Sequence, residues 1–441
     1  MKNSGIRNAI EPTIIPRAAH NVSRAEISKN ALKVLYRLHN AGFQAFLVGG
    51  SVRDALLGLH PKDFDIATDA HPEEVKALFG NCRLIGRRFR LAHVRFGREI
   101  IEVATFRAAS TLEDDPDVAH DLEGRILRDN VYGKIEEDVW RRDFTCNALY
   151  YNIADFSIWD YVGGVEDIRR RRLALIGDPD KRLREDPVRM LRAVRFAAKL
   201  DFRIDKAVAD AIAQRRGLLR NVPPARLFDE FLKLFQSGHA RKTFDLLREH
   251  KLFRELFPET EEALEREEDF LRFVKAALEN TDHRVAEGQS VTPMFLLGVF
   301  LWAPVQRHAK RLQEKEKLSD TLALGLAAED IVAIQQSRVS MPRRFTSPMR
   351  EMLALQPRFE NRQGRRGIKF LEHRRFRAAY DLMMLRAEVG KVDRESADFW
   401  TDVQTQNEEQ RMVSFGLAGK GKSGRGRRRP RRRRPPQANS P

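Results

Sequence analysis

The sequence predicts an α+β protein with three parts: an N-terminal head built from a mixed sheet and helices, an all-helical body and a disordered basic tail. Short apolar strand patterns alternate with helical patterns over about the first 170 residues. After Asp178 the apolar spacing becomes almost entirely that of helices, up to about residue 390. Residues 416–441 are rich in Gly, Arg and Pro, a composition that cannot bury an apolar core.

These shifts of pattern set the expected domain boundaries. We expect a flexible N-terminus at residues 1–25, a head at 26–177, a helical neck at 178–250, a helical body at 251–390 and a low-complexity Arg-rich tail at 391–441. A chain of 441 residues is long for one domain, so several domains are the natural expectation.

Within the head, apolar periodicity places individual elements. Residues 26–39 carry a helical stripe, and residues 43–48 read as a buried strand that ends in two glycines. Asp65–Thr68 is a second short strand, and residues 94–96 and 100–106 are expected to form a hairpin.

The net charge of the chain is +17 and is unevenly distributed. Residues 420–434 hold ten Lys or Arg and no acid, and without them the chain would still carry +7. A basic chain favours a polyanionic partner such as nucleic acid, although a solubilising or targeting tail stays open as an alternative. The expected contacts with nucleic acid are Arg425, Arg427, Arg428, Arg429, Arg431, Arg432, Arg433 and Arg434.

Several protein classes are disfavoured by composition. No run approaches the 18 or more apolar residues of a membrane span, and the first 21 residues contain no continuous apolar core of a signal peptide. The two cysteines, Cys82 and Cys146, show no metal-type spacing, which argues against a zinc site or a disulfide framework. A reducing, cytoplasmic location is therefore expected.

The first motif joins a Gly-Gly turn to a nearby pair of acids. Gly49 and Gly50 follow a strand and would let the backbone approach a phosphate, with Ser51 starting a helix. Asp63 and Asp65 are two residues apart, so on a strand both carboxylates would point to one face. Such a repulsive pair suits two Mg²⁺ ions roughly 3.5–4 Å apart. An exposed pair in a turn remains the alternative.

A third carboxylate could complete the metal cage. Glu102 lies inside the apolar strand pattern of residues 100–104, where an acid needs a partner or a metal. We take it as a candidate catalytic acid. The other interpretation is an outward-facing residue on a half-exposed strand.

Residues 141–148, RRDFTCNA, form a second cluster. Adjacent arginines can clamp triphosphate oxygens through their planar guanidinium groups, which makes Arg142 a candidate for binding nucleotide. Asp143 could complete the catalytic acids, fix an arginine or simply begin a helix.

A third cluster spans residues 184–196, REDPVRMLRAVRF. Asp186 suits a helix N-cap before Pro187, which alone could explain it. Arg189, Arg192 and Arg195 recur every three residues on one broad helix face. They could line a nucleotide pocket or form a solvated face.

Together with GGSVRD at 49–54 and DFD at 63–65, these motifs resemble the class II CCA-adding enzyme and bacterial poly(A) polymerase family, within the polymerase-β-like nucleotidyltransferases. The resemblance covers roughly residues 30–250, in the order of the family. It implies a nucleotidyltransferase head in which Asp63 and Asp65 bind Mg²⁺ and Asp143 is a further catalytic acid. Mn²⁺ is an alternative metal.

The resemblance also implies a nucleotide site. Gly49, Gly50 and Arg53 would contact the phosphates of the incoming nucleotide, with Arg142 nearby. Asp186 and Arg189 match a motif whose Asp and Arg read the base edge. Arg192 and Arg195 would contact phosphate or base from the same helix, and Arg226 and Glu230 of the neck would support that helix.

Residues 84–94, LIGRRFRLAHV, resemble the poly(A) polymerase branch more than the CCA-adding branch. The expected activity is transfer of AMP from ATP to RNA 3′ ends with release of pyrophosphate, in the cytoplasm and with RNA-decay proteins as partners. A tRNA CCA-adding enzyme is the runner-up. A non-catalytic RNA-binding protein that keeps the fold is the alternative from another class.

Overall fold

The computed structural model of the chain describes residues 11–86, 90–108, 118–120, 126–129 and 131–417. The chain divides into two compact units. The first unit comprises residues 1–266, 278–293 and 332–341, and the second comprises residues 267–277, 294–331 and 342–441. Among the described residues, no helix is both long enough and apolar enough to cross a membrane.

Strands are confined to the first unit within the described chain. They are β1 Thr13–Ile15, β2 Ala45–Val48, β3 Asp65–Thr68, β4 Cys82–Ile85, β5 Leu91–Phe96, β6 Glu99–Thr105, β7 Val118–His120, β8 Ile126–Asp129, β9 Leu149–Asn152, β10 Ile158–Asp160, β11 Arg172–Leu173 and β12 Arg203–Ile204.

Helices accompany the sheet and then take over the chain. They are α1 Lys29–Asn40, α2 Gly50–Leu56, α3 Pro72–Leu78, α4 Ile135–Arg141, α5 Gly164–Arg169, α6 Pro179–Glu185, α7 Val188–Leu200, α8 Lys206–Arg215, α9 Pro224–Phe235, α10 Ala240–Glu249, α11 Leu252–Leu256, α12 Pro258–Arg266, α13 Glu268–Ala286, α14 Pro293–Glu316, α15 Asp320–Gln336, α16 Arg343–Ala354, α17 Gly364–Leu371, α18 Phe376–Glu388, α19 Arg394–Thr405 and α20 Glu408–Ser414.

The head is built on one mixed sheet with strand order β1-β10-β9-β2-β3-β6-β5-β4. Neighbouring strands in this sheet pair antiparallel, except β3 and β6. These two run parallel, and their register places Asp65 opposite Glu102. The predicted hairpin is present as β5 and β6, joined through Gly97 and Arg98. The predicted strand at Asp65–Thr68 is β3.

The two faces of the sheet are covered by different helices. Val48, Ala67 and Tyr150 belong to an apolar cluster that includes Ile135 and Val139 of α4. Helix α1 contacts β2, β3 and β6, and α3 contacts β4, β5 and β6. The residues of opposite parity on β2, β3 and β6 are also buried. Asp65 shares the α4 side, because it pairs with Val48 in the ladder.

The α+β head and the helical body are confirmed, but order extends beyond both ends expected from the sequence. Residues 1–25 were expected to be flexible, yet β1 pairs antiparallel with β10 at the sheet edge. Residues from 391 onward were expected to form a low-complexity tail, yet α19 and α20 follow. The sequences of α19 and α20 are mostly polar, so a few apolar residues must hold these helices in place.

Those apolar residues belong to an aromatic cluster within the second unit. Trp400 is fully buried, and its indole N–H donates to the Phe359 carbonyl oxygen (2.8 Å). Phe415 is also buried, with its ring centroid 5.8 Å from that of Trp400. Two large aromatic side chains therefore hold the C-terminal helices to the body. Residues 418–441, which include the Arg-rich segment, lie outside the described residues.

Candidate active site

The first feature of the site is the turn after β2. Gly49 has φ 73° and ψ −133°, a conformation that residues with a Cβ atom rarely adopt. Helix α2 begins at Gly50, and the Ser51 hydroxyl donates to the Val48 carbonyl oxygen (3.1 Å). A Cβ atom at Gly49 would lie 3.9 Å from Nη1 of Arg142. The turn and Arg142 are therefore neighbours.

Arg53 lies on the inner side of α2 and is only 2% exposed. Its Nε and Nη2 donate to Oδ1 of Asp54 (2.8 and 2.6 Å), and its Nη1 donates to Oδ1 of Asn147. A Cβ atom at Gly50 would lie 3.4 Å from Nη2 of Arg53, so glycine leaves room for the guanidinium group. All three nitrogens of Arg53 are thus engaged with protein.

The acids of β3 and β6 lie side by side. Strand β3 begins at Asp65, so Asp63 precedes the strand and does not lie on it as the sequence suggested. Asp65 and Glu102 are direct partners in the parallel ladder and are both exposed. Side chains of paired residues project to one face, which makes Glu102 the ladder neighbour of the Asp pair.

The electrostatics of these acids are unfavourable. Although Asp65 is exposed, nearby protein atoms partly desolvate its carboxylate. This desolvation and repulsion from Glu102 raise the pKa of Asp65 to about 6, with Arg142 opposing the shift and Asp63 adding to it. Among the described residues, no group of three or more His, Cys, Asp or Glu has the arrangement of a preformed metal site. The oxygen donors and their mutual repulsion nevertheless suit a hard divalent cation.

Arg142 is fixed by two partners. Its Nε and Nη2 donate to Oδ2 of Asp138 (3.1 and 3.0 Å), and Nε also donates to the Tyr150 hydroxyl (2.7 Å). The same hydroxyl donates to Asp138 (2.7 Å), which closes a triangle. Burial opposes charge, but Tyr150 and Asp138 outweigh it and raise the pKa of Arg142 above its usual value. Its Nη1 is left on the side of the Gly49 turn.

Asp143 belongs to a neighbouring cluster. Its Oδ2 lies 2.5 Å from Nη2 of Arg192, and its Oδ1 accepts from the Phe144 backbone N–H (2.8 Å) and the Asn147 amide (3.4 Å). Burial would raise the pKa of Asp143, but Arg192 and these donors outweigh it and hold the pKa below its usual value. The contacts of Asp143 match the idea that it fixes an arginine. They do not join it to the acids of β3.

The motif between α6 and α7 is held from both sides. Oδ1 of Asp186 accepts from the Val188 backbone N–H (3.2 Å), as an N-cap would, and Oδ2 accepts from Arg226 of α9 (2.7 Å). Arg189 donates to Oε2 of Glu185 (3.1 Å). The contact expected between the neck and this motif is therefore made by Arg226.

Arg182 connects this motif to the RRD segment. Its Nη1 donates to Oε2 of Glu185 (2.7 Å), and its Nη2 donates to the carbonyl oxygen of Arg142 (2.5 Å). Arg189 donates to the carbonyl oxygen of Arg182 (2.7 Å). Arg189 and Arg142, the arginine beside the Gly49 turn, are thus two hydrogen-bonded steps apart.

Arg195 lies further along α7. Its guanidinium carbon is 4.5 Å from the ring centroid of Phe196. Burial lowers the pKa of Arg195, while the charge of Glu230 on α9 opposes the shift. Glu230 is 6% exposed and accepts from Lys233 (2.8 Å). Glu230, the second of the two neck residues expected to support α7, therefore lies close enough to interact electrostatically with Arg195.

Models of known families match three parts of the chain. Residues 45–174 match the poly A polymerase head domain, residues 201–264 match a "Probable RNA and SrmB- binding site of polymerase A", and residues 316–435 match the polymerase A arginine-rich C-terminus. A curated relative, poly(A) polymerase I of Escherichia coli O6:H1, is 50% identical over 381 residues, which are 86% of this chain and 82% of the relative. The chain belongs to the poly(A) polymerase family.

More distant relatives within the wider group are CCA-adding enzymes. That of Lactobacillus helveticus is 39% identical over 224 residues, which are 50% of this chain and 53% of the relative. The crystal structure of the Bacillus stearothermophilus CCA-adding enzyme in complex with CTP is similar at a TM-score of 0.54 and 27% identity. It covers 87% of this chain and 82% of its own. The fold of the poly(A) polymerase family member described here is therefore that of the nucleotidyltransferases.

Sequence reasoning missed several residues of this family member's site. Asp138 and Tyr150 hold Arg142, and Asn147 joins Arg53 to Asp143. Asp138 could have been found, because an acid four residues before an arginine on a helix is a standard pairing. Tyr150 and Asn147 carry no such local signal, since their roles depend on where β9 lies in the sheet.

The site residues form three groups. Asp65 and Glu102 form the acid group, with Asp63 close by. Asp143, Arg192 and Arg53 are joined through Asn147, and Asp186 and Arg189 lie in a third group with Glu185 and Arg182. The arginines predicted to bind RNA, at 425–434, fall outside the described residues.

Proposed function

We propose that this protein extends RNA 3′ ends without a template by transferring AMP from ATP, with release of pyrophosphate. The observation that carries the proposal is the extent of similarity to poly(A) polymerase I, at 50% identity over 86% of the chain. CCA-adding relatives match about half of the chain at lower identity. The regions shared with poly(A) polymerases include the arginine-rich C-terminus.

We assign a divalent cation, Mg²⁺ or Mn²⁺, to Asp63 and Asp65, with Glu102 as the third acid. The support is the closeness of Glu102 and Asp63 to Asp65. Their repulsion adds to desolvation in raising the pKa of Asp65, and a cation would relieve that repulsion. When bound, such ions lower the pKa of an attacking hydroxyl and stabilise charge on a leaving pyrophosphate.

The triphosphate would be held between the β2 turn and Arg142. Gly49 and Gly50 allow a close approach of backbone, and Nη1 of Arg142 lies beside that turn. Arg53 is enclosed by Asp54 and Asn147, so its role would be to support the turn beneath the phosphates. Its direct contact with phosphate would need these bonds to rearrange.

The base of ATP would be read by Asp186 and Arg189. An Asp–Arg pair can present both acceptors and donors to a base edge. Arg226 and Glu185 orient this pair in the absence of nucleotide. Arg192 and Arg195 would contact phosphate or base from α7, and Asp143 would act by fixing Arg192.

The partners in this proposal are ATP and RNA 3′ ends. The Arg-rich segment that contains Arg425, Arg427, Arg428, Arg429, Arg431, Arg432, Arg433 and Arg434 would bind RNA backbone by neutralising phosphates. RNA-decay proteins would be further partners, and the protein would act in the cytoplasm.

Acid variants test the catalytic assignment. Purified protein with Mg²⁺, ATP and an RNA oligomer should lengthen the RNA and release pyrophosphate. Asp63→Asn and Asp65→Asn should each reduce the rate at least a hundredfold, on the order of the loss of one transition-state stabiliser. Asp210→Asn, which removes an exposed acid paired with Lys206 on α8, is the matched control and should keep full activity.

The same assay separates the alternatives. A requirement for CTP and a tRNA substrate would favour a CCA-adding enzyme, in line with the similarity to that group. RNA binding with neither extension nor pyrophosphate release would leave a non-catalytic RNA-binding protein.

A further inference from the structure

One half of the head sheet carries a row of exposed side chains. Along β5 and β6 the exposure alternates, so that Val94 and Ile101 are buried while Arg95, Ile100 and Glu102 are exposed. We call the exposed side of β4, β5 and β6 the open face. From the ladder register its residues are Arg83, Ile85, Leu91, His93, Arg95, Ile100 and Glu102.

The open face runs directly into the acid group. Arg83 pairs with His93, His93 pairs with Glu102, and Glu102 pairs with Asp65, in one row across four strands. Three strand spacings separate the ends of this row, which is about 14 Å at roughly 4.8 Å per strand. The last few nucleotides of an RNA strand can span this length.

The proposed position of the triphosphate leaves the β4–β6 side of Asp65 available for the RNA. Gly49 follows β2, and Arg142 is held by Tyr150 of β9, so the proposed triphosphate site lies on the β2 and β9 side of β3. Strands β6, β5 and β4 lie on the opposite side of β3. An attacking hydroxyl must approach the acids from a side that the triphosphate does not occupy.

The charges of the open face favour a polyanion. Arg83 and Arg95 are exposed, and in the described part of the chain no carboxylate pairs with either of them. His93 Nε2 lies 3.3 Å from Oε1 of Glu102. The row is therefore acidic at Asp65 and Glu102, has His93 between the acids and the arginine, and is basic at Arg83. Aliphatic side chains on the same face, such as Ile100 at 39% exposure, offer contact area for ribose or base.

We propose that the open face holds the 3′-terminal nucleotides of the RNA and leads the terminal hydroxyl to Asp65, with Arg83 and Arg95 contacting phosphates. This inference rests on the proposed function, because it names where the second substrate of that reaction binds. The contacts are with backbone and aliphatic surface, so the face binds RNA without reading its sequence.

Charge reversal on the open face tests the inference in the full-length chain. The variant Arg83→Glu with Arg95→Glu should raise the KM for a short RNA oligomer severalfold and leave the KM for ATP unchanged. The slope of RNA affinity against salt should fall by about 0.7 for each arginine that neutralises a phosphate on the single strand. Lys76→Glu on α3, which contacts the same strands from the covered side, is the matched control and should change neither KM.

A second readout does not depend on catalysis. An RNA oligomer that ends in 4-thiouridine should photocrosslink to residues of β4 or β5 in the wild-type chain, and the double variant should lose this product. An unchanged KM for RNA, or crosslinks only elsewhere, would overturn the inference. Crosslinking at the open face without any lengthening of the RNA would support RNA binding at this face and would reject the proposed polymerase activity.

Discussion

The ionised carboxylate of Asp65 destabilises the folded state. Desolvation by nearby protein atoms and repulsion from Glu102 raise the pKa of Asp65 to about 6 from an ordinary value of 3.8. A carboxyl whose pKa is raised on folding destabilises the native state when it is ionised. This penalty is absent below the unfolded pKa, grows between the two values and is complete above the folded pKa.

Asp65→Asn should therefore stabilise the metal-free protein in a pH-dependent way. In chelator, the gain in thermal midpoint should be absent at about pH 4, grow through about pH 6 and be constant by about pH 8. Thermal unfolding monitored by circular dichroism over this range measures it. Asp210→Asn, at an exposed site on α8, should show no such gain, and a gain at position 65 that does not vary with pH would contradict the electrostatic account.

Tyr150 is a positioning residue for Arg142. Tyr150→Phe keeps the ring and its packing against Phe46 but removes the hydroxyl that links Arg142 to Asp138. We expect a loss of about 1–2 kcal/mol in the free energy of unfolding. We also expect a higher KM for ATP with a smaller change in kcat, because the guanidinium group of Arg142 would be held less firmly in its orientation.

The control for this change is Tyr380→Phe in the second unit, where the hydroxyl bonds to Thr401 (2.7 Å). It should cost a similar free energy of unfolding in chemical denaturation and leave the KM for ATP unchanged. Equal KM values for Tyr150→Phe and wild type would remove Tyr150 from the site.

The sequence could identify a single site residue where the motif that marks it lies within a few neighbouring positions. Asp65 and Gly49 could be singled out because an acid pair and a Gly-Gly turn are visible within a few positions. Asn147 and Tyr150 could not, because their partners Arg53 and Arg142 are known only once β9 is placed beside β2.

At the scale of elements, the β2–α2 connection depends on one backbone conformation. Gly49→Ala would place a Cβ atom at φ 73°, although the nearest side-chain atom is 3.9 Å away. The expected destabilisation is about 1–3 kcal/mol, from backbone strain and not from a clash. Urea unfolding measures it, and activity should fall as the turn shifts.

Gly80→Ala is the matched control for the turn. Gly80 has no positive φ and nothing within 4 Å of an added Cβ atom, so its free energy of unfolding should change by less than about 0.5 kcal/mol. If Gly49→Ala were equally neutral, the turn would not require glycine.

Elements with strong periodicity were predicted, and those held by distant partners were not. Strand β3 and the β5–β6 hairpin follow from apolar alternation in residues 65–106. Strand β1 has three residues and exists because β10 offers an edge to pair with. Helix α19 is mostly polar, and its order depends on the burial of Trp400 against Phe359.

At the scale of the whole molecule, RNA affinity is expected to be shared between the catalytic unit and the Arg-rich segment. Residues 420–434 carry ten of the net positive charges. Removal of residues 418–441 should weaken RNA binding and lower its salt dependence, by up to about 0.7 per phosphate neutralised on a single strand. The KM for ATP should not change.

Fluorescence anisotropy with labelled RNA at several salt concentrations measures this effect. A chain in which residues 418–441 are replaced by a neutral Gly/Ser segment of equal length separates charge from length. Wild-type salt dependence in that chain would contradict the assignment of the segment to RNA.

The change in apolar periodicity after Asp178 predicted the division into an α+β head and a helical body, because periodicity is local in sequence. The relation between the acids of β3 and the open face of β4–β6 was not predictable, because it arises from the parallel pairing of β3 with β6. That pairing joins residues far apart in the chain.

The proposed AMP transfer is tested most directly by a primer-extension gel with Mg²⁺, a generic RNA oligomer and a tRNA lacking CCA, supplied with ATP alone or with CTP and ATP. A poly(A) polymerase should give long ladders on the generic RNA with ATP alone. Addition that stops after three nucleotides, occurs only on the tRNA and requires CTP would contradict the proposed activity.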